Sequence, residues 1–155
     1  MAGTATAGAL TIRPIEQADR AGWGQLWQGY LDFYKTELPG EMYDLAFDRL
    51  LSGAEGEFAG FIALVGDQPV GLVHYLFHRH GWKAEKVCYL QDLYADPSVR
   101  GKGVGAALIT AVYAAADEAG APTVYWLTQQ DNATARKLYD QIAGVTDFIK
   151  YQRVL

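Results

Sequence analysis

The residues of this chain predict an α/β fold: a mixed central β-sheet in three layers, with helices on both faces. Three features predict it. Apolar residues switch along the chain between alternation with period two and recurrence every three or four positions, the signatures of strand and helix. One tight turn joins two strands directly, which makes an antiparallel hairpin. Later strands are separated by long helical stretches, and such crossovers feed parallel neighbours. Antiparallel and crossover connections in one chain give a mixed sheet covered on both sides.

The elements follow in order. "LTIRPI" (10–15) alternates and is bounded by Pro14, as an edge strand would be. Trp23, Leu26, Trp27, Tyr30 and Tyr34 form the stripe of an amphipathic helix. Pro39 and Gly40 break it, and a second helix carries Ala46, Phe47, Leu50 and Leu51 on one side. Residues 58–77 read as two strands around a "GDQP" turn. "KVCYLQDLYA" (86–95) is nearly continuous in apolar residues and predicts a central strand covered on both faces. A loop leads into a helix over about 104–119, with Val104, Leu108, Ala111, Val112 and Ala115 on one face and Gly120 and Pro122 behind it. "TVYWLTQ" (123–129) predicts another buried strand. Residues 132–144 predict a helix capped by Asp131 or Asn132 and closed by Gly144, and "DFIKYQRVL" (147–155) a last strand.

One domain over residues 10–155, preceded by a loose tail at 1–9, accounts for the 155 residues. A net charge of −5 argues against nucleic acid or an anionic membrane as partner. No apolar run reaches the length of a membrane span. The start, "MAGTATAGAL", lacks the basic and apolar regions of a signal peptide, and the single cysteine, Cys88, fits a reducing compartment, so a cytoplasmic protein is expected.

The stretch "VRGKGVGAALI" (99–109) places three glycines behind Arg100 and ahead of a helix. Free N–H groups of a helix's first turn, its macrodipole and glycines without Cβ atoms together suit an anion such as phosphate. Two nucleotide readings fail. A P-loop needs Ser or Thr after the lysine, and Gly103 follows Lys102. A dinucleotide fold needs an acidic residue at the end of the next strand, which here ends in Thr128, Gln129 and Gln130.

Arg100-x-x-Gly103-x-Gly105 resembles the Arg/Gln-x-x-Gly-x-Gly/Ala signature of the GNAT superfamily of N-acetyltransferases. "CYLQDLYADPSVRGKGVGAALI" followed by "WLTQQDNATARKLYD", together with "FHRHGW" and "WGQLWQGYLDFYKTELP", is similar to the branch with polyamine, yeast-type histone and D-amino-acid acetyltransferases. The resemblance runs from about Leu10 to Leu155 and implies acetyl-CoA as co-substrate, no metal, a small-molecule or peptide amine as acceptor, and assembly as a homodimer.

It also implies a site. A bulge in the central strand would pair backbone groups of Leu93, Tyr94 and Ala95 with the cofactor's pantetheine arm. The pyrophosphate would sit on Arg100, Gly101, Lys102, Gly103, Val104, Gly105 and Ala106. Asn132 would contact the cofactor, and Tyr139 would stand near its sulfur as the acid that protonates the departing thiolate. Their seven-residue spacing is two helical turns, so both lie on one face. Tyr139 also shares a stripe with Ala135, Leu138 and Ile142.

The amine needs a base, because an alkylammonium of pKa about 10.4 is neutral in only about one molecule in 10³ at neutral pH. Relatives of the polyamine type read Leu-Glu-Asp in the central strand, whereas this chain reads Leu90-Gln91-Asp92. Gln91 can hold a water but takes no proton, which leaves Asp92 next in line. Tyr30 and Tyr34, with Glu37, offer aromatic faces and a carboxylate to a cationic acceptor. His74 or His78 could line the acceptor channel, and His78-x-His80 lacks a third ligand for a metal. Two functions stay open on these residues: an acetyl-CoA-dependent N-acetyltransferase working by direct attack of a primary amine, and a non-catalytic acyl-CoA-binding sensor or scaffold, motivated by Gln91.

Overall fold

A computed structural model of the protein describes residues 8–155; residues 1–7 of the expected tail lie outside the described residues. Five strands form one sheet in sequence order: β1 (Leu10–Pro14), β2 (Ala59–Val65), β3 (Gln68–His78), β4 (Val87–Ala95) and β5 (Val124–Tyr125). The first four run antiparallel to their neighbours, and β5 runs parallel to β4, so the sheet is mixed as expected. The hairpin turn spans two residues between Val65 and Gln68, with Gly66 first at a φ of 59°. A two-residue hairpin turn asks for a positive φ there, which glycine adopts without strain.

Helices α1 (Arg20–Phe33) and α2 (Gly40–Ser52) cover one face. Trp23, Leu26, Trp27, Leu31, Phe47 and Leu50 bury their side chains there against Ile62, Leu64 and Leu72. Gly53, in the left-handed conformation, ends α2. Helix α3 (Val104–Glu118) covers the other face, where Leu108, Ile109, Val112 and Ala116 meet Ala63, Val73, Tyr75, Cys88 and Leu90. Alternation along β3 sorts the faces: Leu72 and His74 point to α1, Val73 and Tyr75 to α3. Helix α4 (Ala133–Ile142) lies at the rim of the α3 side, tied by the Tyr113 hydroxyl, which donates to the Ile142 carbonyl at 3.0 Å.

Three expectations need correction. The strand predicted over 123–129 pairs at only two residues, Cys88 with Val124 and Tyr89 with Tyr125. The strand predicted over 147–155 does not form. Its apolar residues are exposed, Phe148 at 84% and Leu155 fully, because the short β5 offers no ladder for a further strand to extend. Finally, β4 is buried only through Leu90; from Gln91 onward it is partly exposed. Among the described residues no helix is long and apolar enough to cross a membrane.

Candidate active site

The second half of β4 departs from regular pairing. His74 pairs with Asp92 but Tyr75 pairs with Leu90, so Gln91 is the extra residue of a β-bulge. On the other side β5 stops opposite Tyr89. Leu90 to Ala95 therefore has β3 along one edge and no ladder along the other. Since Asp96 donates to the Val70 carbonyl at 2.8 Å, the alternation of the ladder turns the backbone groups of Leu93 and Ala95 to the free edge, whereas those of Tyr94, expected there too, face Leu72 of β3. The bulge begins one residue earlier than the "DLYA" position expected from the sequence.

The Tyr94 side chain turns away from that free edge, toward α1. A Cβ at Gly29 would come within 2.5 Å of its hydroxyl, so Gly29 is what lets the ring lie against the helix.

Beyond β4, Asp96 accepts from the Ser98 amide at 2.9 Å and from its hydroxyl at 2.7 Å, which holds the Asp96 carboxyl below its ordinary range and fixes the exit of the strand. Gly101 and Gly103 follow in the left-handed region, at φ 79° and 81°. Gly103 is the N-cap of α3 and brings no side chain to its amides. The first-turn N–H groups of a helix have no intrahelical acceptor, so those after Gly103 face outward beside exposed Arg100 and Lys102. Val104 is buried in the core, and Gly105 faces α4, where a Cβ would stand 3.2 Å from the Leu138 side chain. This cradle and the free β4 edge fit a long ligand that ends in a diphosphate.

At the bulge, the Asp92 carboxylate lies 13% exposed, and its Oδ2 accepts from the His74 ring at 2.8 Å. Tyrosine hydroxyls surround it. Burial, and then Asp92 itself, push the Tyr30 phenol far above its ordinary range; Tyr34 and Tyr89 are raised for the same two reasons. Tyr139, on α4, sits edge-on to Trp126 at 5.3 Å between ring centroids. Burial raises its phenol, and so does the nearby Tyr34. Tyr139 thus keeps its proton at neutral pH.

Of the residues the sequence nominated, Tyr30 and Tyr34 lie 5.1 Å apart between ring centroids and both feel the charge of Asp92 at the bulge, while Tyr139 packs on Trp126. Gln91 is exposed on the bulge. Asn132 caps α4, its Oδ1 accepting from the Ala135 amide at 3.3 Å. Glu37 stands apart in the exposed segment after α1, in a shallow cleft with Asp32, Lys35 and Thr36. His78 donates to the Arg79 carbonyl through Nδ1 and accepts from the Tyr125 hydroxyl at 2.7 Å. It shares with Tyr139 a cleft of about 980 Å³ between β5, α4 and residues 145–150. Cys88 is fully buried and its thiol is pushed up to about 11 by burial, which leaves it inert. Sequence reasoning missed Tyr89 and counted Trp23 only as part of a stripe. Strand register brings Tyr89 to the site, and no spacing in one segment signals it.

Bulge, free edge and glycine-opened helix are the parts an acyl-CoA-dependent transferase needs, and the comparisons agree. A sequence model described as the Acetyltransferase (GNAT) family matches residues 23–145. The chain belongs to this family and is an N-acetyltransferase. It is 40% identical over 147 residues to the D-amino-acid N-acetyltransferase HPA3 of Saccharomyces cerevisiae, covering 93% of this chain and 90% of the relative. It is 33% identical over 118 residues to the aminoglycoside N(6')-acetyltransferase type 1 of Stenotrophomonas maltophilia, covering 74% and 72%. Among solved structures, AAC(6')-Iy in complex with the bisubstrate analog CoA-S-monomethyl-acetylneamine shares the fold, with a TM-score of 0.78 over 96% of this chain and 99% of the other at 21% identity. The comparisons give the sensor reading no support.

Proposed function

We propose that the domain over residues 10–155 transfers an acetyl group from acetyl-CoA to the primary amine of a small molecule, by direct attack of the amine. The observation that carries this is the Asp92 carboxylate, held by His74 at the β4 bulge, beside the edge of β4 that β5 leaves open. Acetyl-CoA supplies the activated acetyl thioester. Leu93 and Ala95, on either side of Tyr94, hold the pantetheine arm by backbone groups, and Arg100 to Ala106 hold the diphosphate. Asp92 takes the proton of the incoming amine on the oxygen that His74 leaves free, and Tyr139 gives its hydroxyl proton to the departing sulfur. Gln91 is left a water-holding role, and Asn132, the N-cap of α4, contacts the cofactor. Tyr30 and Tyr34 form the acceptor's aromatic wall; Glu37 and His78 stand at its approaches.

The 40% identical relative named for D-amino acids makes amino acids of both hands the first acceptors to try, with polyamines and aminoglycosides beside them. The exposed apolar residues of 147–155 favour a homodimer joined through that segment. The single reduced cysteine favours the cytoplasm.

The test is thiol release from acetyl-CoA with each amine, on wild type and on Tyr139→Phe. Loss of the phenol should lower kcat by about 10²-fold or more while acetyl-CoA affinity stays within a few-fold. Unchanged turnover removes Tyr139 from the chemistry. Tight CoA binding with no amine-dependent thiol release rejects the transferase reading.

A further inference from the structure

His74 is a histidine buried beside the apolar core under α1. Its side chain is 4% exposed, and both ring nitrogens are engaged: Nδ1 at 2.8 Å from Asp92 Oδ2, Nε2 at 2.9 Å from the Trp23 indole nitrogen. Indole N–H can only donate. Nε2 must therefore be an acceptor, so the ring proton sits on Nδ1 and is donated to Asp92. An imidazolium would set two N–H groups against each other across 2.9 Å.

Aromatic rings flank the imidazole, Trp23 and Trp27 lying at 6.0 and 6.4 Å between centroids. Trp23 is itself fixed, fully buried between Trp27, Tyr43 and Phe47.

We infer that Trp23 and His74 are positioning residues for the base: the indole holds His74 in its neutral, Nδ1-protonated form, and His74 in turn holds one oxygen of Asp92 so that the other faces the amine. This rests on the reading of Asp92 as the base. The remaining ionisable groups facing the chain do not titrate where histidine does. Tyr30 from α1, Tyr34 just after it, Tyr89 from β4 and Tyr43 from α2 are all raised phenols that stay neutral, and the Arg20 guanidinium lies 5.5 Å above the Trp23 ring and pairs with Asp44 at 2.8 Å.

Nitrogen-15 spectra of the histidine rings read the proton's position directly. At neutral pH the wild-type His74 ring should carry its proton on Nδ1, with Nε2 bare and accepting from the indole. In Trp23→Phe Nε2 loses its donor, so the proton should no longer be confined to Nδ1, and the kcat/KM profile should fall several-fold below the wild type. His74→Leu should lose about 10²-fold in kcat. His74→Asn, whose amide can still donate from the Nδ1 position, should recover at least about ten-fold of that loss; this variant also serves if Trp23→Phe fails to fold. A wild-type ring protonated on Nε2, or charged at neutral pH, overturns the inference while leaving Asp92 as base. So does a Trp23→Phe profile that overlays the wild type, or an asparagine variant no better than leucine. If Asp92→Asn turns over like wild type, the base itself is wrong and the positioning role falls with it, whatever the ring's tautomer.

Discussion

The two faces of the sheet are built on different rules. Against α3 the buried side chains are aliphatic, with Tyr75 and Cys88 the most polar of them. Against α1 and α2 the aliphatic core is joined by the buried rings of Trp23, Trp27 and Phe47, and both buried polar side chains among the described residues, Asp19 and His74, lie on that side. A polar group in a core is expensive unless paired. The α3 face avoids the expense. The α1 face carries it twice, once at Asp19 to fix the entry of a helix and once at His74 to hold a carboxylate at the bulge.

The comparison breaks if both faces respond to mutation in the same way. Asp92→Asn should lower kcat by about 10²–10⁴-fold, with a change in melting temperature of only a few degrees, measured by steady-state kinetics and calorimetry. Leu108→Ala, on the α3 face, should do the reverse. Leu108 is fully buried, so truncation should cost about 2–5 kcal/mol and lower Tm by about 5–15 °C, while kcat/KM per folded molecule changes little. A stable but inactive Leu108→Ala would show that the α3 face also shapes the chemistry.

Asp19 sharpens the contrast through pH. It accepts from both guanidinium nitrogens of Arg13, at 2.7 and 2.9 Å, and from the Glu16 amide at 2.7 Å. The Arg13 bonds hold its carboxyl below the ordinary aspartate range. A depressed folded value gives stability that is fully present above the unfolded value, about 3.9, and is lost as pH falls through the folded one. Wild-type Tm should therefore drop below about pH 4, and Asp19→Asn should start lower and drop less steeply. Part of the slope should survive through Asp96, which Ser98 depresses in the same direction.

Most of the frame was legible because it depends on local periodicity. The Trp23–Trp27 stripe, the Gly66 turn and the glycines ahead of α3 each announce themselves within a few residues of sequence. What stayed hidden depends on register. Gln91 becomes a bulge only because Tyr75 pairs with Leu90 and His74 with Asp92, and no pattern in β4 alone contains that shift. The partnership of His74 with Trp23 joins residues 51 apart. The predicted strand over 147–155 failed for a related reason: alternation describes a segment able to be a strand, but a strand also needs an edge, and β5 ends after two residues.

Gly29 makes the smallest and most diagnostic case. In the middle of an exposed helix, glycine to alanine should stabilise by roughly 0.5–1 kcal/mol. Here the new Cβ meets the Tyr94 hydroxyl at 2.5 Å and the ring carbon that carries it at 2.8 Å, so the ring must move. The two effects oppose, and Gly29→Ala should leave Tm within about 2 °C of wild type. The displacement should instead appear at the other side of Tyr94, in the backbone groups proposed to hold the pantetheine arm, as a few-fold rise in the KM for acetyl-CoA with kcat little changed. Tyr94→Phe removes the nearer of the two colliding atoms, so combining it with Gly29→Ala should recover part of that rise, and the two changes should not be additive. An additive pair would mean that α1 does not act on β4 through this ring, and the α1 face would then influence the site through the His74 chain alone.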